Sequence, residues 1–150
     1  MPPLVFPQES TAAVLQLILD QMTLTLRLYS NNKTPQPTDD LSSYVEVTGG
    51  GYAAVALNAA SWAVSQGSPS VALYNAFIDF IFTSATTGPG TIYGYYLTNQ
   101  DDVVLYAEEF DPADIPFTPT DAGAGTSANI LQIRPRFGAD NLIAPPVEIE

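Results

Sequence analysis

The sequence predicts a mainly β fold: an antiparallel β-sandwich or small barrel of about seven strands, with one short N-terminal helix and extended terminal arms. Three observations lead to this prediction. Short segments of alternating apolar and polar residues recur at intervals of roughly ten residues. Clusters of Gly, Pro, Asn and Asp separate those segments, as turns require. Helical crossovers are missing between them, which disfavours a parallel sheet.

The clearest element is a β-hairpin in TIYGYYLTNQDDVVLYAEEF, residues 91–110. Its arms, residues 91–98 and 103–110, are aromatic and β-branched, and residues 99–102 supply a polar turn. Alternate side chains point to opposite faces, and both faces carry apolar residues. A hairpin of that kind needs cover, so we expect it at the centre of an antiparallel sheet.

The chain before the hairpin starts with a predicted helix at about residues 11–22, N-capped by Ser10 or Thr11. A half-buried strand follows in TLTLRLY, residues 23–29, where the period changes from helical to two. Residues 30–40 contain two prolines and turn-forming residues, and are predicted to be a surface loop.

Short strands are predicted next at residues 44–47 and 52–57, separated by the glycines at 49–51, which can adopt positive φ. Trp62 continues the alternation, and Gly67 to Pro69 end it. We interpret Trp62 as a core residue, in preference to a surface for stacking a sugar or base.

The segment NAFIDFIFTS, residues 75–84, is a further predicted strand, with Phe77, Asp79 and Ile81 alternating against Ile78, Phe80 and Phe82. Apolar residues on both faces indicate burial or a partner subunit. After the hairpin and a Pro- and Gly-rich stretch, residues 129–137 alternate again. Pro135 cannot donate to a ladder, so we expect this last strand to be an edge strand or to end near one.

These elements give a β-domain at residues 23–137, an N-terminal arm and helix at residues 1–22, and a C-terminal arm at residues 138–150. The prolines of the N-terminal arm keep it extended and leave three apolar residues for docking on another surface. The candidate partner-binding residues are therefore on this arm and on the strand at 75–84: Leu4, Val5, Phe6, Phe77, Phe80 and Phe82.

Composition excludes several functions. Four basic and sixteen acidic residues give a formal charge of −12, so nucleic acid and anionic membranes are unfavourable partners. The chain has no cysteine and no histidine, which removes thiolate metal sites and every catalytic arrangement that uses histidine. We expect no catalytic residue, cofactor or metal, and hence no enzyme.

One acidic group leaves two sharper alternatives open. Two of its carboxylates could act as acid and base in a glycosidase, or several could bind calcium, but no calcium-loop spacing occurs. Neighbouring residues on a strand also point to opposite faces, so 101/102 and 108/109 are not facing pairs. A solvated hairpin end is the preferred interpretation. The group comprises Asp101, Asp102, Glu108, Glu109, Asp111 and Asp114.

The aromatic residues of the strands offer another alternative, a platform on which sugars or bases stack. Core packing is the preferred interpretation for this set as well. It comprises Tyr93, Tyr95, Tyr96, Tyr106 and Trp62.

The ordered segments LRLYSNNKTP, GGGYAAVALNAASW, TIYGYYLTN with VVLYAEEF, and a closing strand with RPRF resemble small virion structural proteins of tailed bacteriophages, including cyanophages. The resemblance covers most of residues 24–137. It implies a β-rich capsid cement or decoration protein on the outside of the phage head, without catalytic residues. The Pro-rich arms and the acidic excess depart from that pattern.

The expected function is therefore a non-enzymatic role in the virion, on the capsid surface after assembly in the host cytoplasm. The expected partners are the major capsid protein or another virion protein, and further copies of the chain, with a trimer as the first hypothesis. The alternative from another class is a tail-associated or carbohydrate- or receptor-binding β-sandwich module.

Overall fold

The computed structural model describes residues 7–88, 90–111, 117–121 and 129–139. It is mainly β, with one N-terminal helix and antiparallel sheets, so the predicted fold class is confirmed. None of the sheets in the described ranges closes into a barrel. The elements are α1 (Gln8–Gln21), β1 (Thr25–Tyr29), β2 (Val55–Ala56), β3 (Trp62–Ser65), β4 (Ser70–Tyr74), β5 (Ile78–Ile81), β6 (Gly94–Thr98), β7 (Val104–Glu109), β8 (Ile130–Ile133) and β9 (Arg136–Ala139).

The chain divides into two compact units. Unit 1 contains α1, β3, β4 and β9, and unit 2 contains the other six strands. The sequence-based division set the helix apart from a single β-domain at residues 23–137. In the structure the helix instead shares a unit with three strands, and β9 extends to Ala139, two residues into the segment assigned to the C-terminal arm. Residues 140–150 of that arm lie outside the described part of the chain.

Unit 1 is an antiparallel sheet in the order β3-β4-β9, against which α1 packs. The helix buries Leu15 and Leu19, as its apolar spacing predicts. It begins at Gln8, directly after Pro7, so the predicted cap at Ser10 or Thr11 is wrong. The Thr11 hydroxyl lies inside the first turn, where it donates to the Gln8 carbonyl (2.8 Å).

Strand β4 was missed by the sequence interpretation, which ended the alternating segment at residues 67–69. That turn reverses the chain into β4, which pairs with β3 from Trp62 opposite Tyr74 to Ser65 opposite Val71. The small residues of β4 hid it, because Ser70 and Ala72 are a weak strand signal. Both are completely buried.

Unit 2 contains a four-stranded sheet in the order β2-β1-β6-β7. The predicted hairpin is confirmed as β6 and β7, and all five residues of β6 are buried. Only this arm is central, because β7 is the last strand of the described sheet. The polar turn is closed by Asn99, whose Oδ1 accepts hydrogen bonds from the amides of Asp101 and Val103.

The predicted strand at 44–47 is only a single bridge between Glu46 and Tyr29 in the structure. The predicted strand at 52–57 is only the two residues of β2. The three glycines between them all have positive φ. They turn the backbone towards residues 83–87, where the Thr83 and Thr87 amides donate to the carbonyls of Gly50 and Thr48. These loop contacts satisfy backbone groups that a longer ladder would otherwise use.

A second, two-stranded sheet in unit 2 pairs β5 with β8, from Ile78 opposite Ile133 to Ile81 opposite Ile130. The predicted last strand at 129–137 is in fact two strands, β8 and β9. They are separated at Arg134 and Pro135, and each pairs with a different partner. The expectation of an edge strand is confirmed, since β8 and β9 each stand at the end of their described sheets. Among the described residues, no helix has the length and apolarity to cross a membrane.

Candidate functional site

The structure separates the predicted partner-binding residues into exposed and buried ones. Phe77 exposes 62% of its surface, whereas Phe80 and Phe82 expose 4% and 1%. Phe80 stacks on Tyr52 at 5.9 Å between ring centroids, and Phe82 lies 5.9 Å from Phe117. Phe80 and Phe82 are therefore core residues of unit 2, and only Phe77 remains on a surface. Leu4, Val5 and Phe6 lie outside the described residues.

Two large apolar side chains are exposed at β5, Phe77 directly before the strand and Ile81 at its end. Ile81 exposes 58% of its surface and lies on the same face as Phe77, with exposed Asp79 between them. We call this surface, Phe77, Asp79 and Ile81, the β5 face. Across the strand pair, Asp79 is opposite Gln132 and Ile81 is opposite the half-buried Ile130. Its chemistry is that of apolar packing against another surface.

A second exposed apolar surface lies where the loop at 39–42 meets the hairpin turn. Leu41 and Val103 expose 41% and 51% of their surfaces and, with the half-buried Val104, line a groove of about 700 Å³. Asp39, Asp40 and Asp102 also line it. We call these six residues the aspartate-rimmed groove.

Three buried tyrosines, Tyr29, Tyr44 and Tyr96, pack behind this groove and contact Val104. Tyr44 is edge-on to Tyr29 and stacked on Tyr96, each at 5.1 Å between ring centroids. Burial raises the pKa of Tyr96 to about 12 and also raises the pKa of Tyr29 and Tyr44 above the usual value. All three phenols are neutral at physiological pH, which suits a packed core.

The loop at 39–42 is held by its own polar groups. Burial opposes the charged form of Asp39, but hydrogen bonds from Lys33, the Gln36 amide and Tyr44 leave its pKa below the usual value. Asp40 N-caps the 3₁₀ turn Leu41–Ser43, and hydrogen bonds from the Ser42 hydroxyl and amide lower its pKa. Both carboxylates are ionised at neutral pH.

On the other side of the groove, Asp102 is held by Arg27 of β1 at 3.6 Å. The Arg27 guanidinium also donates to Glu46 (3.1 and 3.2 Å) and to the Thr98 hydroxyl (3.0 Å). Burial lowers the pKa of Arg27, but the Glu46 carboxylate outweighs it and the pKa is raised. Arg27 therefore links β1 to β6 and to Glu46, and lies near the hairpin turn.

The predicted acidic group is dispersed. Besides the Asp102 pair with Arg27, Glu108 accepts from Tyr95 (2.9 Å) and Glu109 accepts from Thr34 (2.7 Å). Asp114 lies outside the described residues. Within the described ranges, no three His, Cys, Asp or Glu side chains come together in a way that could hold a metal ion.

The predicted aromatic platform is largely internal. Tyr95, Tyr96 and Trp62 expose 3%, 1% and 9% of their surfaces, and Tyr93 and Tyr106 are half-buried. Trp62 lies edge-on to Tyr74 and Phe137, 5.1 and 5.2 Å between ring centroids, so its predicted role in the core is confirmed.

A cleft of about 510 Å³ also lies beside the hairpin. Its lining combines the rings of Phe110 and Phe117 with the polar side chains of Glu108, Asp111 and Gln132. Sequence reasoning identified neither this cleft nor the aspartate-rimmed groove. The acidic group in the sequence includes Asp101 and Asp102, but nothing in the sequence connects them with residues 39–42, some sixty positions earlier.

Comparison with protein-family models, with curated proteins and with solved structures finds no match to this chain.

Proposed function

We propose that the protein is a non-enzymatic structural protein of a tailed-phage virion, a cement or decoration protein bound to the outside of the head. The sequence resemblance over most of residues 24–137 supports this assignment. The structural observation that carries it is the β5 face, which exposes two large apolar side chains on a sheet surface. Exposed apolar patches mark interaction sites, and Phe77 and Ile81 lie on one exposed surface, with Asp79 between them.

The β5 face can make a useful contribution to binding. Fully burying a Phe or Ile side chain is worth roughly 1.5 to 3 kcal/mol, and since Phe77 and Ile81 expose 62% and 58% of their surfaces, together they supply about 2 to 4 kcal/mol before ordering costs. A single copy holds such a contact weakly. We propose assembly as a homo-oligomer, with a trimer as the first hypothesis. Several copies of the contact would then act together, and the high effective concentration would raise the overall affinity.

The proposed partners are the major capsid protein or another virion protein. The N-terminal residues Leu4, Val5 and Phe6 remain proposed as a second anchor, because an extended Pro-rich segment loses little entropy on docking. The proposed location is the capsid surface, after assembly in the host cytoplasm.

Co-sedimentation with undecorated phage heads tests the proposal. The wild-type protein should saturate the heads, and Ile81→Ser should weaken binding. Val45→Ser is the matched control, because Val45 is an equally exposed apolar residue of unit 2 (55%) outside the β5 face. Absence of wild-type binding would refute the cement function. Equal binding of both variants would refute the use of the β5 face.

A carbohydrate- or receptor-binding module is the second candidate, and the cleft at Phe110 and Phe117 favours it. Sugar sites combine an aromatic ring with carboxylate or amide groups, and Glu108, Asp111 and Gln132 provide these here. A glycan array separates the two functions. Saturable glycan binding that Phe110→Ala abolishes, without binding to heads, would select the module.

A further inference from the structure

The aspartate-rimmed groove has the features of a docking site for one extended segment of a partner protein. We propose that it binds a segment in which an apolar side chain is flanked by Lys or Arg. This inference names the chemistry of a partner and rests on the proposed assembly function.

The groove provides a place for an apolar side chain. Leu41 and Val103 are both about half exposed and lie on opposite sides of it, one on the loop at 39–42 and the other in the hairpin turn. Val104 continues from Val103 into contact with the three buried tyrosines. Its volume of about 700 Å³ is within the roughly 300 to 1,000 Å³ typical of binding clefts.

Both sides of the groove are held in place before any partner arrives. The 3₁₀ turn that carries Leu41 has a reciprocal cap between Asp40 and Ser43. The hairpin turn that carries Val103 is closed by Asn99, and its Asp102 lies 3.6 Å from the Arg27 guanidinium. A preorganised groove loses less entropy on binding than a flexible one.

The charges at the groove select a basic segment. Asp39 is 2.9 Å from Lys33, and Asp102 is 3.6 Å from Arg27. Within the described residues no Lys or Arg pairs with Asp40, whose oxygens accept hydrogen bonds from Ser42 and Ser43. A Lys or Arg of the partner would pair with Asp40, so that all three aspartates of the groove would have a cationic partner. The net charge of −12 would steer such a basic partner towards the protein.

A second copy of the chain is a poor occupant on the same grounds. It carries the same charge of −12, so two copies repel each other, and it has only four basic residues to offer. Three of these four already have partners: Arg27 and Lys33 form ion pairs, and Arg134 donates to the Tyr74 carbonyl (2.8 Å). The occupant we propose is therefore a different protein.

Labelled heptapeptides test the groove directly. The probe has two Leu residues, each flanked by Lys. One comparison peptide carries Glu in place of Lys, and another carries Ser in place of Leu. Fluorescence anisotropy should show saturable binding of the Lys/Leu peptide, weakened by salt, and no saturable binding of the other two.

Substitutions on the protein then locate the site. Leu41→Ser with Val103→Ser should weaken Lys/Leu peptide binding by at least about tenfold, the loss typical of central apolar contacts. Asp40→Asn should reduce the salt dependence, and Val45→Ser should change neither. An unchanged affinity of the double variant would overturn the proposal. So would dimerisation of the wild type that the double variant abolishes, since a second copy would then occupy the groove.

Methyl NMR on the wild-type protein keeps the test valid if the double variant does not fold. The Leu41 and Val103 methyl signals should shift on addition of the Lys/Leu peptide while those of Val45 stay in place. Shifts confined to other residues would refute the site. Binding to phage heads without binding of the peptide would refute the groove and leave the cement function standing. Groove-dependent peptide binding without binding to heads would refute the cement function and leave the groove proposal standing.

Discussion

Replacing Trp62 by Phe and by Ala separates the stabilising effect of its packing from the destabilising effect of its buried N–H. Trp62 is buried between Tyr74 and Phe137, and no described residue accepts a hydrogen bond from its Nε1. The side chain therefore stabilises unit 1 by packing, while its buried N–H opposes folding. The two substitutions remove these contributions in different proportions.

Ala removes both contributions. Deleting a buried Trp side chain costs about 3 to 5 kcal/mol of the free energy of unfolding. Phe keeps a six-membered ring edge-on to both neighbours and loses the remainder of the indole, worth roughly 1.5 to 2.5 kcal/mol at about 0.8 kcal/mol per CH₂-sized group. It also removes the buried unsatisfied N–H, a gain of about 1 to 3 kcal/mol. We therefore expect Trp62→Phe to cost less than about 1.5 kcal/mol, at least about 1.5 kcal/mol less than Trp62→Ala.

Urea unfolding followed by far-ultraviolet circular dichroism measures both differences. Phe137→Leu is the matched control, because it shrinks a ring of the same cluster that carries no polar atom. If Trp62→Phe costs within about 1 kcal/mol of Trp62→Ala, the reasoning is refuted, since Nε1 would then make a stabilising hydrogen bond in the folded protein.

Three further predictions concern unit 2. A Cβ at Gly94 would meet the Glu108 carbonyl oxygen and lie 2.5 Å from the Tyr29 hydroxyl, so Gly94→Ala should cost about 1 to 3 kcal/mol in urea unfolding, and a loss below about 0.5 kcal/mol would contradict this. The folded-state pKa of Tyr96 is raised to about 12. Its contribution to the free energy of unfolding is therefore complete below about pH 10 and disappears as the pH rises through 12. Stability should therefore fall more steeply for the wild type than for Tyr96→Phe, by up to about 1.4 kcal/mol per pH unit, whereas full phenolate absorbance in the folded protein at pH 10 would disprove it. The pKa of Asp40 is lowered, so its contribution is present above about pH 3.9 and is lost as the pH falls through the folded pKa. Asp40→Ala should lower the Tm at pH 7 more than at pH 3, and equal shifts would count against the cap.

Local patterns in the sequence determined the elements whose signal is contained within them. The hairpin of β6 and β7 was predictable because strand formers surround a polar turn that Asn99 closes with its own side chain. The burial of Trp62 and the alternation of β5 were predictable for the same kind of reason. A period of two indicates that the two faces of a strand differ, and this can be seen without information about residues far away in the chain.

The tertiary structure decided which face of β5 is buried and which residues bury it. The sequence showed apolar residues on both sides of β5, but only packing against Tyr52 and Phe117 made Phe80 and Phe82 core residues and left Phe77 outside. Strand β4 gave only a weak signal because Ser70 and Ala72 are small, and the buried Ser70 hydrogen-bonds with Thr11 of the helix, 2.7 Å away and 59 residues earlier.

The aspartate-rimmed groove depends entirely on long-range pairing. Its two sides are about sixty residues apart in sequence and meet because β1 pairs with β6, which brings Arg27 beside Thr98 and Asp102. The sequence by itself determined the mainly β class, the hairpin and the acidic surface, since these follow from local propensity and composition. Strand order and the surfaces left open were decided only by the tertiary structure, because they result from contacts between residues far apart in the chain, which no local period encodes.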